Sequence, residues 1–250
     1  MKVDQSAQDV LRAARCDGNN LFLTGQIDRK LYQQVAKVLE AAGGKWNRKA
    51  GAIVFDGDAR DAIDPILLTG EVVRLKQDLG QFDTPPELVR RVIEAAHIEA
   101  GMLVLEPSAG LGNIAVAAAQ AGGLVQCYEV DPKRVKILKG HGASIASASQ
   151  QDFLTLEPSP VYDRVVMNPP FARQTDIDHV THAAKFLRPG GRLVAIMSTG
   201  VTFRQDRKAS DFRLMVESHG GAISNLPAGS FRIAGTDVST VLVAFTVDAD

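Results

Sequence analysis

The sequence has little cysteine, no long apolar run and almost no net charge, and each shortage excludes a class of protein. Its two cysteines, Cys16 and Cys127, lie far apart and have no metal-site spacing. This argues against a disulfide scaffold and favours reduced packing thiols. No apolar run reaches the length that spans a membrane, and the first residues lack the apolar core of a signal peptide. We therefore expect a cytoplasmic protein with no membrane partner.

The charge balance and the histidines exclude two further classes of site. Lysine and arginine number 28 against 29 acids, which gives a net charge of −1. Any nucleic-acid site must therefore be a local patch. His179 and His182 lie three residues apart on one expected helix without a third ligand nearby, so we interpret them as surface or packing residues. We expect no bound metal.

The first third of the sequence predicts a small α+β domain over residues 1–78. Residues 1–20 are polar and weakly patterned. Apolar residues at helical spacing predict a helix over 29–41, with Asp28 as its cap. Residues 45–55 read as a strand, a turn and a strand, and 61–79 as short helical material. A boundary is expected near residues 80–86.

Residues 79–250 predict a second domain in which strands and helices alternate. Thr84 is expected to cap a helix that starts at Pro85. Strands rich in Val, Leu and Ile that alternate with helices predict a doubly wound, mostly parallel, seven-stranded Rossmann-like sheet. The expected strands cover 102–105, 124–128, 143–146, 165–167, 192–198, 222–225 and 240–247. The expected helices cover 113–121, 132–139, 177–187 and 210–217.

The most distinctive stretch is Asn168-Pro169-Pro170-Phe171, directly after the apolar strand that ends at Met167. Each proline ring fixes its own φ, and Pro170 keeps its predecessor out of helical geometry. The strand therefore ends in a stiff, extended turn that presents an amide, a carbonyl and an aromatic face together. Ligands of doubly wound sheets bind beyond such carboxyl ends of strands.

Three preceding strand ends carry groups suited to a nucleoside cofactor. Glu106 and the glycines at 110 and 112 follow the first strand, where a carboxylate favours a cationic ligand over a pyrophosphate. Glu129, 19 residues after Gly110, has the spacing of a ribose-binding acid. Asp152 can accept from an adenine amine, with Phe153 beside the ring, although Asp152 could also be a turn cap. Together these groups describe S-adenosylmethionine better than a nicotinamide dinucleotide.

In these motifs the sequence resembles class I S-adenosylmethionine-dependent amino-methyltransferases with an Asn-Pro-Pro-aromatic motif. It is most similar to adenine-N6 DNA methyltransferases in which the cofactor segments precede the catalytic one. The resemblance covers residues 82–250 and implies that a Phe-x-Thr-Pro motif packs on the methionine end of the cofactor. The cofactor residues implied in this way are Phe82, Thr84, Pro85, Glu106, Pro107, Ser108, Ala109, Gly110, Gly112, Asn113, Glu129, Val130, Asp152, Phe153 and Asn168.

The resemblance also assigns the catalytic role to Asn168, Pro169, Pro170 and Phe171. An exocyclic amine on a heteroaromatic ring is a poor nucleophile because its lone pair is delocalised into the ring. If the Asn168 side-chain oxygen and the Pro169 carbonyl accept from the NH₂ group, the nitrogen is drawn towards tetrahedral geometry. Phe171 is expected to stack on the target base, which must leave a duplex to reach the pocket.

Recognition of the substrate is expected to lie outside the methyltransferase motifs. DNA adenine methyltransferases with this motif order usually carry a long recognition region after the catalytic domain, whereas this sequence stops at Asp250. The first 80 residues or loops would then supply it. Two basic segments are candidates for nucleic-acid contact, although the first also reads as a solvated helix face with a core tryptophan. Their residues are Lys45, Trp46, Arg48 and Lys49, and then Arg204, Arg207 and Lys208.

The sequence alone leaves several substrates open. The leading hypothesis is methyl transfer to adenine N6 in DNA. A base amine of ribosomal RNA, adenine N6 or guanine N2, is the first alternative. A glutamine-N5 protein methyltransferase poses the same chemical problem, but its motif most often ends in tyrosine rather than Phe171. A binding module without activity fits least, because all the cofactor acids are present. The target sequence and the oligomeric state are not specified.

Overall fold

The computed structural model describes residues 1–55, 57–72, 83–142, 145–231 and 239–249. The chain divides into two compact units, Met1–Leu79 and Gly80–Asp250. The predicted boundary after residue 78 falls in segment 73–82, which lies outside the described residues. Within the part of the chain that is described, no helix has the length and apolar character needed to cross a membrane.

The small unit contains three helices and a four-stranded antiparallel sheet with the strand order β1-β2-β4-β3. In α2, the Asp28 carboxylate accepts from the backbone N–H groups of Lys30 and Leu31, so the predicted cap is present. The elements are α1 (Gln5–Ala13), β1 (Arg15–Asp17), β2 (Asn20–Phe22), α2 (Arg29–Ala41), β3 (Lys45–Asn47), β4 (Ala52–Val54) and α3 (Ala59–Thr69).

The first twenty residues are more ordered than their pattern indicated. Asp4 caps α1 by accepting from the Ala7 N–H, and Ala7 and Leu11 are buried on one face of that helix. A three-residue pair of strands follows, with Cys16 opposite Leu21. Strands this short show no readable alternation, which is why the sequence did not predict them.

The large unit contains a seven-stranded sheet with the order β10-β11-β9-β8-β5-β6-β7. The five strands from β5 to β9 pair in parallel, and β10 and β11 add antiparallel pairings at one edge. This confirms the predicted doubly wound, mostly parallel sheet. The elements are α4 (Pro86–Ala96), β5 (Leu103–Glu106), α5 (Asn113–Gln120), β6 (Leu124–Glu129), α6 (Pro132–Gly140), β7 (Ser147–Gln150), β8 (Tyr162–Met167), α7 (Thr175–Ala184), β9 (Leu187–Ser198), α8 (Gly200–Phe203), α9 (Arg207–Ser218), β10 (Ala222–Asn225) and β11 (Thr240–Thr246).

Three predicted details of this unit were wrong. The cap of α4 is Pro85, which has no side-chain cap bond, and Thr84 makes other contacts described below. Helix α7 ends at Ala184 rather than at the predicted residue 187, because β9 already begins at Leu187. Pro189 and Gly190 lie inside β9, where the pairing with β8 shifts its register. The strand expected over 143–146 is β7, four residues later; 143 and 144 lie outside the described residues.

Two arginines fix the carboxyl end of α4 against the sheet. Arg164 on β8 donates to the carbonyls of Ala96 and His97, with its Nε 2.6 Å from the Ala96 oxygen. Arg192 is paired with it on β9 and donates to the Ala95 carbonyl at 2.7 Å. Cations at a helix carboxyl end satisfy carbonyls that have no helical partner and complement the helix dipole. These contacts set the position of α4, whose other end leads to Thr84.

Candidate active site

The carboxyl ends of the parallel strands surround a cavity of about 230 Å³. Most of the predicted cofactor residues line it, whereas Pro85 and Gly112 do not, and Phe82 lies outside the described residues. The predicted residues that line it are Thr84, Glu106, Pro107, Ser108, Ala109, Gly110, Asn113, Glu129, Val130, Asp152, Phe153, Asn168 and Pro170. The structure therefore brings together groups that the sequence distributes over more than 80 residues.

The turn after β5 depends on two glycines with positive φ, Gly110 at 55° and Gly112 at 88°. A Cβ at Gly112 would lie 2.8 Å from the Leu138 Cδ2 atom on α6, so a side chain there meets both strain and a clash. The Ala109 N–H donates to the Tyr128 carbonyl at 3.0 Å, which ties the turn to β6. Gly112 thus shapes the turn on the side that faces α6, although it does not line the cavity.

Glu129 at the end of β6 holds the same turn from the other side. One carboxylate oxygen accepts from the Gly110 N–H at 2.8 Å, and the other accepts from the Asp131 N–H at 2.9 Å. The side chain is buried and lines the cavity. Its carboxylate is consequently fixed in orientation before any ligand binds, as a ribose-binding acid needs to be.

Glu106 is the most deeply buried acid in the cavity wall, with 2% of its surface exposed. Burial raises the pKa of its carboxyl well above the ordinary value, a backbone N–H of Ala115 opposes that shift, and the nearby Glu129 adds to it. Among the described residues, its Oε2 atom has no hydrogen-bond partner. A buried acid with an open oxygen beside a second acid provides a site that a positively charged group would stabilise.

Asp152 has the cap role that the sequence left open beside a role in binding adenine. One of its carboxylate oxygens accepts from the Leu154 N–H at 3.0 Å and caps a short 3₁₀ helix, Phe153–Thr155. The residue is exposed and lines the cavity. The cap holds the carboxylate in place at the cavity rim.

The neighbouring ring, Phe153, is mainly a core residue. It is 1% exposed and contacts the rings of Tyr128, His182 and Phe186. Leu154 next to it is 37% exposed and lines the cavity, as does Val130 on the opposite strand end. Leu154 is therefore better placed than Phe153 to contact a planar ligand, and the sequence pattern did not distinguish these adjacent residues.

Thr84 links the Asn-Pro-Pro turn to the glycine turn. Its hydroxyl oxygen accepts from the Asn168 side-chain amide nitrogen at 3.1 Å. Its backbone carbonyl accepts from the Asn113 side chain at 2.9 Å, at the start of α5. With its nitrogen directed at Thr84, the Asn168 amide has its oxygen on the opposite side. Pro169 is buried behind it, and Pro170 lines the cavity.

Phe171 is not the open platform that the resemblance implied. Its side chain is 4% exposed, and its ring lies edge-on to Phe231 with 6.4 Å between the centroids. A ring packed in this way does not present a face to a base. The sequence could not reveal this, because Phe231 is distant in the chain and its ring contact is tertiary.

The backbone after the turn is strained. Arg173 and Gln174 both have positive φ, 54° and 58°, which costs about 1–3 kcal/mol for each such residue. Asp176 follows in the first turn of α7 and is completely buried. It accepts from the Ser198 N–H at 3.0 Å, and burial raises its pKa to about 6. This contact holds the strained segment against the end of β9.

Two cavity residues were missed as functional candidates. His179 on α7 is buried, lines the cavity and has its Nδ1 atom 3.1 Å from the Ser108 hydroxyl; burial lowers its pKa to about 4. Arg134 on α6 forms an ion pair with Asp83 at 3.3 Å beside Gly110. Within the described ranges, no group of three or more His, Cys, Asp or Glu side chains is arranged to hold a metal ion.

The two predicted basic segments differ in their surroundings. Lys45, Trp46, Arg48 and Lys49 are all exposed, and Trp46, at 61%, is no core tryptophan. In the second segment Arg204 is 6% exposed and cannot contact phosphates in this conformation. Lys208 pairs with Asp178 at 2.6 Å, and Arg207 lies 3.4 Å from Asp211. Two of its cations thus have acidic partners, although the Arg207 side chain is 95% exposed.

The sequence of residues 80–213 matches the family described as "Methyltransferase small domain". It is 32% identical over 98 residues to the type II methyltransferase M.TthHB8I of Thermus thermophilus, a match that covers 38% of this chain and 22% of that protein. It is 33% identical over 85 residues to the ribosomal RNA small subunit methyltransferase A of Thermotoga maritima, covering 34% and 30%. The chain therefore matches less than a third of the length of either relative.

A structural likeness extends over both units. The modification subunit assigned to a type I restriction enzyme of Vibrio vulnificus YJ016 superposes with a TM-score of 0.59 and 17% sequence identity. The superposition covers 97% of this chain and 60% of that chain. At this identity the likeness is one of fold.

Proposed function

Since this chain belongs to the methyltransferase small domain family and uses S-adenosylmethionine as its methyl donor, we propose that it methylates the N6 amine of adenine in DNA. The observation that carries the proposal is the Asn168 amide at the end of β8. Its nitrogen is held by Thr84, and it lies at the wall of a cavity lined with acids. An amide oxygen and a proline carbonyl in one stiff turn suit an NH₂ group, which has two protons to donate.

The cavity residues fit the proposed donor. Glu106, with its unpartnered buried oxygen, and Glu129 form an acidic wall, and a cationic ligand would offset the burial that raises the pKa of Glu106 and so favour its charged form. Glu129 is also the acid for the ribose hydroxyls, and Asp152 the acceptor for the adenine amine. Val130 and Leu154 would contact the two faces of the adenine ring. When bound, S-adenosylmethionine supplies a methyl group on a positively charged sulfur.

The chain's own contribution to transfer is positioning and electrostatic stabilisation. The Asn168 oxygen and the Pro169 carbonyl each hold one proton of the substrate amine, which localises the lone pair on nitrogen and directs it at the methyl group. Thr84 positions the Asn168 amide, and the two prolines limit the motion of the turn. Holding the two reacting groups in line raises the rate, because little entropy is then lost and little solvent is rearranged when they react.

A base amine in ribosomal RNA is the second candidate. It is favoured by the 33% identity to a ribosomal RNA small subunit methyltransferase, which is similar to the identity to the type II enzyme. The chemistry at Asn168 would be the same. The two candidates differ in the polymer that presents the amine and, for guanine N2, also in the base.

The deciding experiment supplies the full chain with methyl-labelled S-adenosylmethionine and four acceptors: duplex DNA, single-stranded DNA, ribosomal RNA and a release factor protein. Digestion to nucleosides or amino acids then identifies the product. We expect N6-methyladenine from DNA. N6-methyladenine or N2-methylguanine from RNA alone would establish the second candidate, and label on protein alone would reject both.

A further inference from the structure

The small unit carries a groove between α2 and the hairpin formed by β3 and β4, with a volume of about 350 Å³. We call it the aromatic groove; its lining includes Tyr32, Ala36, Glu40, Gly44, Trp46 and Ile53. Its two aromatic side chains are unusually open, with Tyr32 43% and Trp46 61% exposed. Large exposed aromatic side chains that share one groove indicate a binding surface.

Three features of the sequence shape the groove. Tyr32, Ala36 and Glu40 are four residues apart on α2 and therefore share one helix face. Ala36 leaves space between its larger neighbours. On the opposite wall, a Cβ at Gly44 would lie 2.6 Å from the Ile53 Cγ2 atom, so only glycine fits there.

Trp46 lies on the edge strand of the sheet, at the open side of the groove. It pairs directly with Ile53 across β3 and β4, and directly opposite residues of an antiparallel pair project from the same face. Ile53 is buried under this face while Trp46 extends beyond it. One ring is thus presented by the helix and the other by the edge strand.

The two elements that form the groove carry positive charge, and one of their basic residues, Lys45, lines the groove itself. Six exposed basic side chains lie on α2 and the hairpin, and none forms an ion pair with any residue in the described ranges. The Asn47 side chain accepts from the backbone N–H groups of Lys49 and Ala50, which shapes the hairpin tip that carries two of the six. The six residues are Arg29, Lys30, Lys37, Lys45, Arg48 and Lys49.

We propose that the aromatic groove binds an unpaired base of single-stranded nucleic acid, with Tyr32 and Trp46 as stacking surfaces and the six basic side chains as phosphate contacts. Glu40 lies in the groove as an acceptor and selects bases that carry an amino group, because a carboxylate pairs with N–H donors such as cytosine N4. In a duplex the base faces are stacked and inaccessible, whereas single strands offer them.

Charge decides against a peptide as the occupant. One acid among six cations matches a polymer with one negative charge for each residue, as phosphates supply. This inference rests on the proposed function only in taking nucleic acid as the substrate. It adds that the small unit holds an unpaired strand, at a site distinct from the cavity in the large unit.

Trp46 gives a direct measurement, because it is the only tryptophan in the chain. Its fluorescence in the full-length protein is titrated with oligonucleotides of about 12 nucleotides, a length within known single-strand site sizes. The probes are oligo-dC, oligo-dA and oligo-dT, a mixed-sequence duplex and a proline-rich peptide. We expect quenching by the single strands, with oligo-dC and oligo-dA bound more tightly than oligo-dT, and none by the duplex or the peptide.

Substitutions in the groove separate its parts. Tyr32→Ala and the filling variant Ala36→Leu should each weaken oligo-dC binding about 10-fold, while Tyr32→Phe should retain it. Glu40→Gln should reduce the preference of oligo-dC over oligo-dT. Leu214→Ala, at an exposed apolar position on α9 of the large unit, is the matched control and should bind as the wild type does.

The result that overturns the proposal is oligo-dC binding that leaves Trp46 fluorescence unchanged or that survives Tyr32→Ala and Ala36→Leu. Equal quenching by duplex, or quenching by the peptide alone, also overturns it. The proposed function fails independently, through absence of methyl transfer to any nucleic acid. If oligo-dC quenches the Trp46 fluorescence but no methyl group is transferred, the proposal for the groove stands and the proposed function is rejected.

Discussion

The two units of the molecule place their polar side chains in opposite ways. In the large unit, several acids are buried and accept hydrogen bonds from the backbone, as Glu129 and Asp176 do, and the half-buried Asn168 amide donates to Thr84. In the small unit, the basic side chains of α2 and the hairpin are exposed and have no ionic partner within the described ranges. Buried, joined groups fix geometry, as chemistry requires, whereas open charges suit binding to a flexible polymer.

This difference predicts what each unit loses on substitution. Changes in the large unit should alter transfer, cofactor affinity or folding stability. Changes at the exposed basic and aromatic side chains of the small unit should alter only the affinity for nucleic acid and its dependence on salt. The following substitutions test that division.

The largest effect is expected from Asn168→Ala, which removes one of the two acceptors for the amine. Loss of a positioned hydrogen-bonding group in an active site typically lowers the turnover about 100- to 1000-fold. Single-turnover kinetics with labelled cofactor measure this, and calorimetric titration should give a cofactor affinity close to that of the wild type. Asn225→Ala, at an exposed position on β10, is the control. Lost cofactor binding would mean that Asn168 mainly holds the cofactor.

A pH-dependent effect on stability is expected from Asp176. Its pKa in the folded protein, about 6, lies above the ordinary 3.8, so the folded state retains the proton longer than the unfolded state does. Stability from this group is full below about pH 4, falls as the pH rises towards 6 and is lost above it, by about 3 kcal/mol in total. Urea unfolding of the wild type and Asp176→Asn between pH 4 and 7.5 measures the difference. Parallel curves for the two proteins would contradict it.

Two glycine substitutions compare the rigidity of the two units. Gly112→Ala meets both positive φ and the Leu138 side chain, whereas Gly51→Ala in the hairpin loop has φ of 61° and open space around it. Both should lose stability through backbone strain, and Gly112→Ala should lose about 1–3 kcal/mol more through overpacking. Chemical denaturation gives the two values. Equal losses of stability would show that the Leu138 side chain moves at little cost to make room for the added methyl group.

The smallest effects are expected from two arginines. Arg48→Gln should reduce the slope of log affinity against log salt by about 1 for single-stranded DNA, because one phosphate contact is lost. Arg207→Gln should leave the slope unchanged, since Arg207 already lies near Asp211. Anisotropy titrations over a range of salt concentrations distinguish them. A reduced slope for Arg207→Gln would restore the second basic segment as a contact surface.

The elements that the sequence predicted best are those whose signal is local. Apolar strands, glycine turns and the Asn-Pro-Pro turn follow from neighbouring residues, and the mostly parallel pairing of the sheet follows from the alternation of strands and helices. The carboxyl-end rule then indicated which residues would meet at the cavity. Glu106, Asp152 and Asn168 were found in this way, and Thr84 through the resemblance of its motif.

What the sequence did not reveal depends on contacts between distant residues. The ring of Phe171 packs against Phe231, and the side chain of Arg204 is buried. The residues that follow Phe171 and Arg204 in the sequence are mostly polar and gave no sign of this burial. His179 reaches Ser108, 71 residues earlier, only after α7 has packed on the sheet. Both Phe153 and Leu154 line the cavity, but a single 3₁₀ turn buries the first and leaves the second exposed, which no periodicity encodes.

The arginine contacts at the end of α4 have a mechanical consequence. The 11 residues of α4 form a stiff rod of roughly 16 Å between those contacts and the segment that leads to Thr84. Thr84 in turn contacts the Asn168 amide. Shortening Arg192 to lysine would weaken its contact with the Ala95 carbonyl, and a tilt of the rod that followed would reach the amide through Thr84. The rate of the proposed transfer should then depend on a contact at the opposite end of α4, away from the cavity.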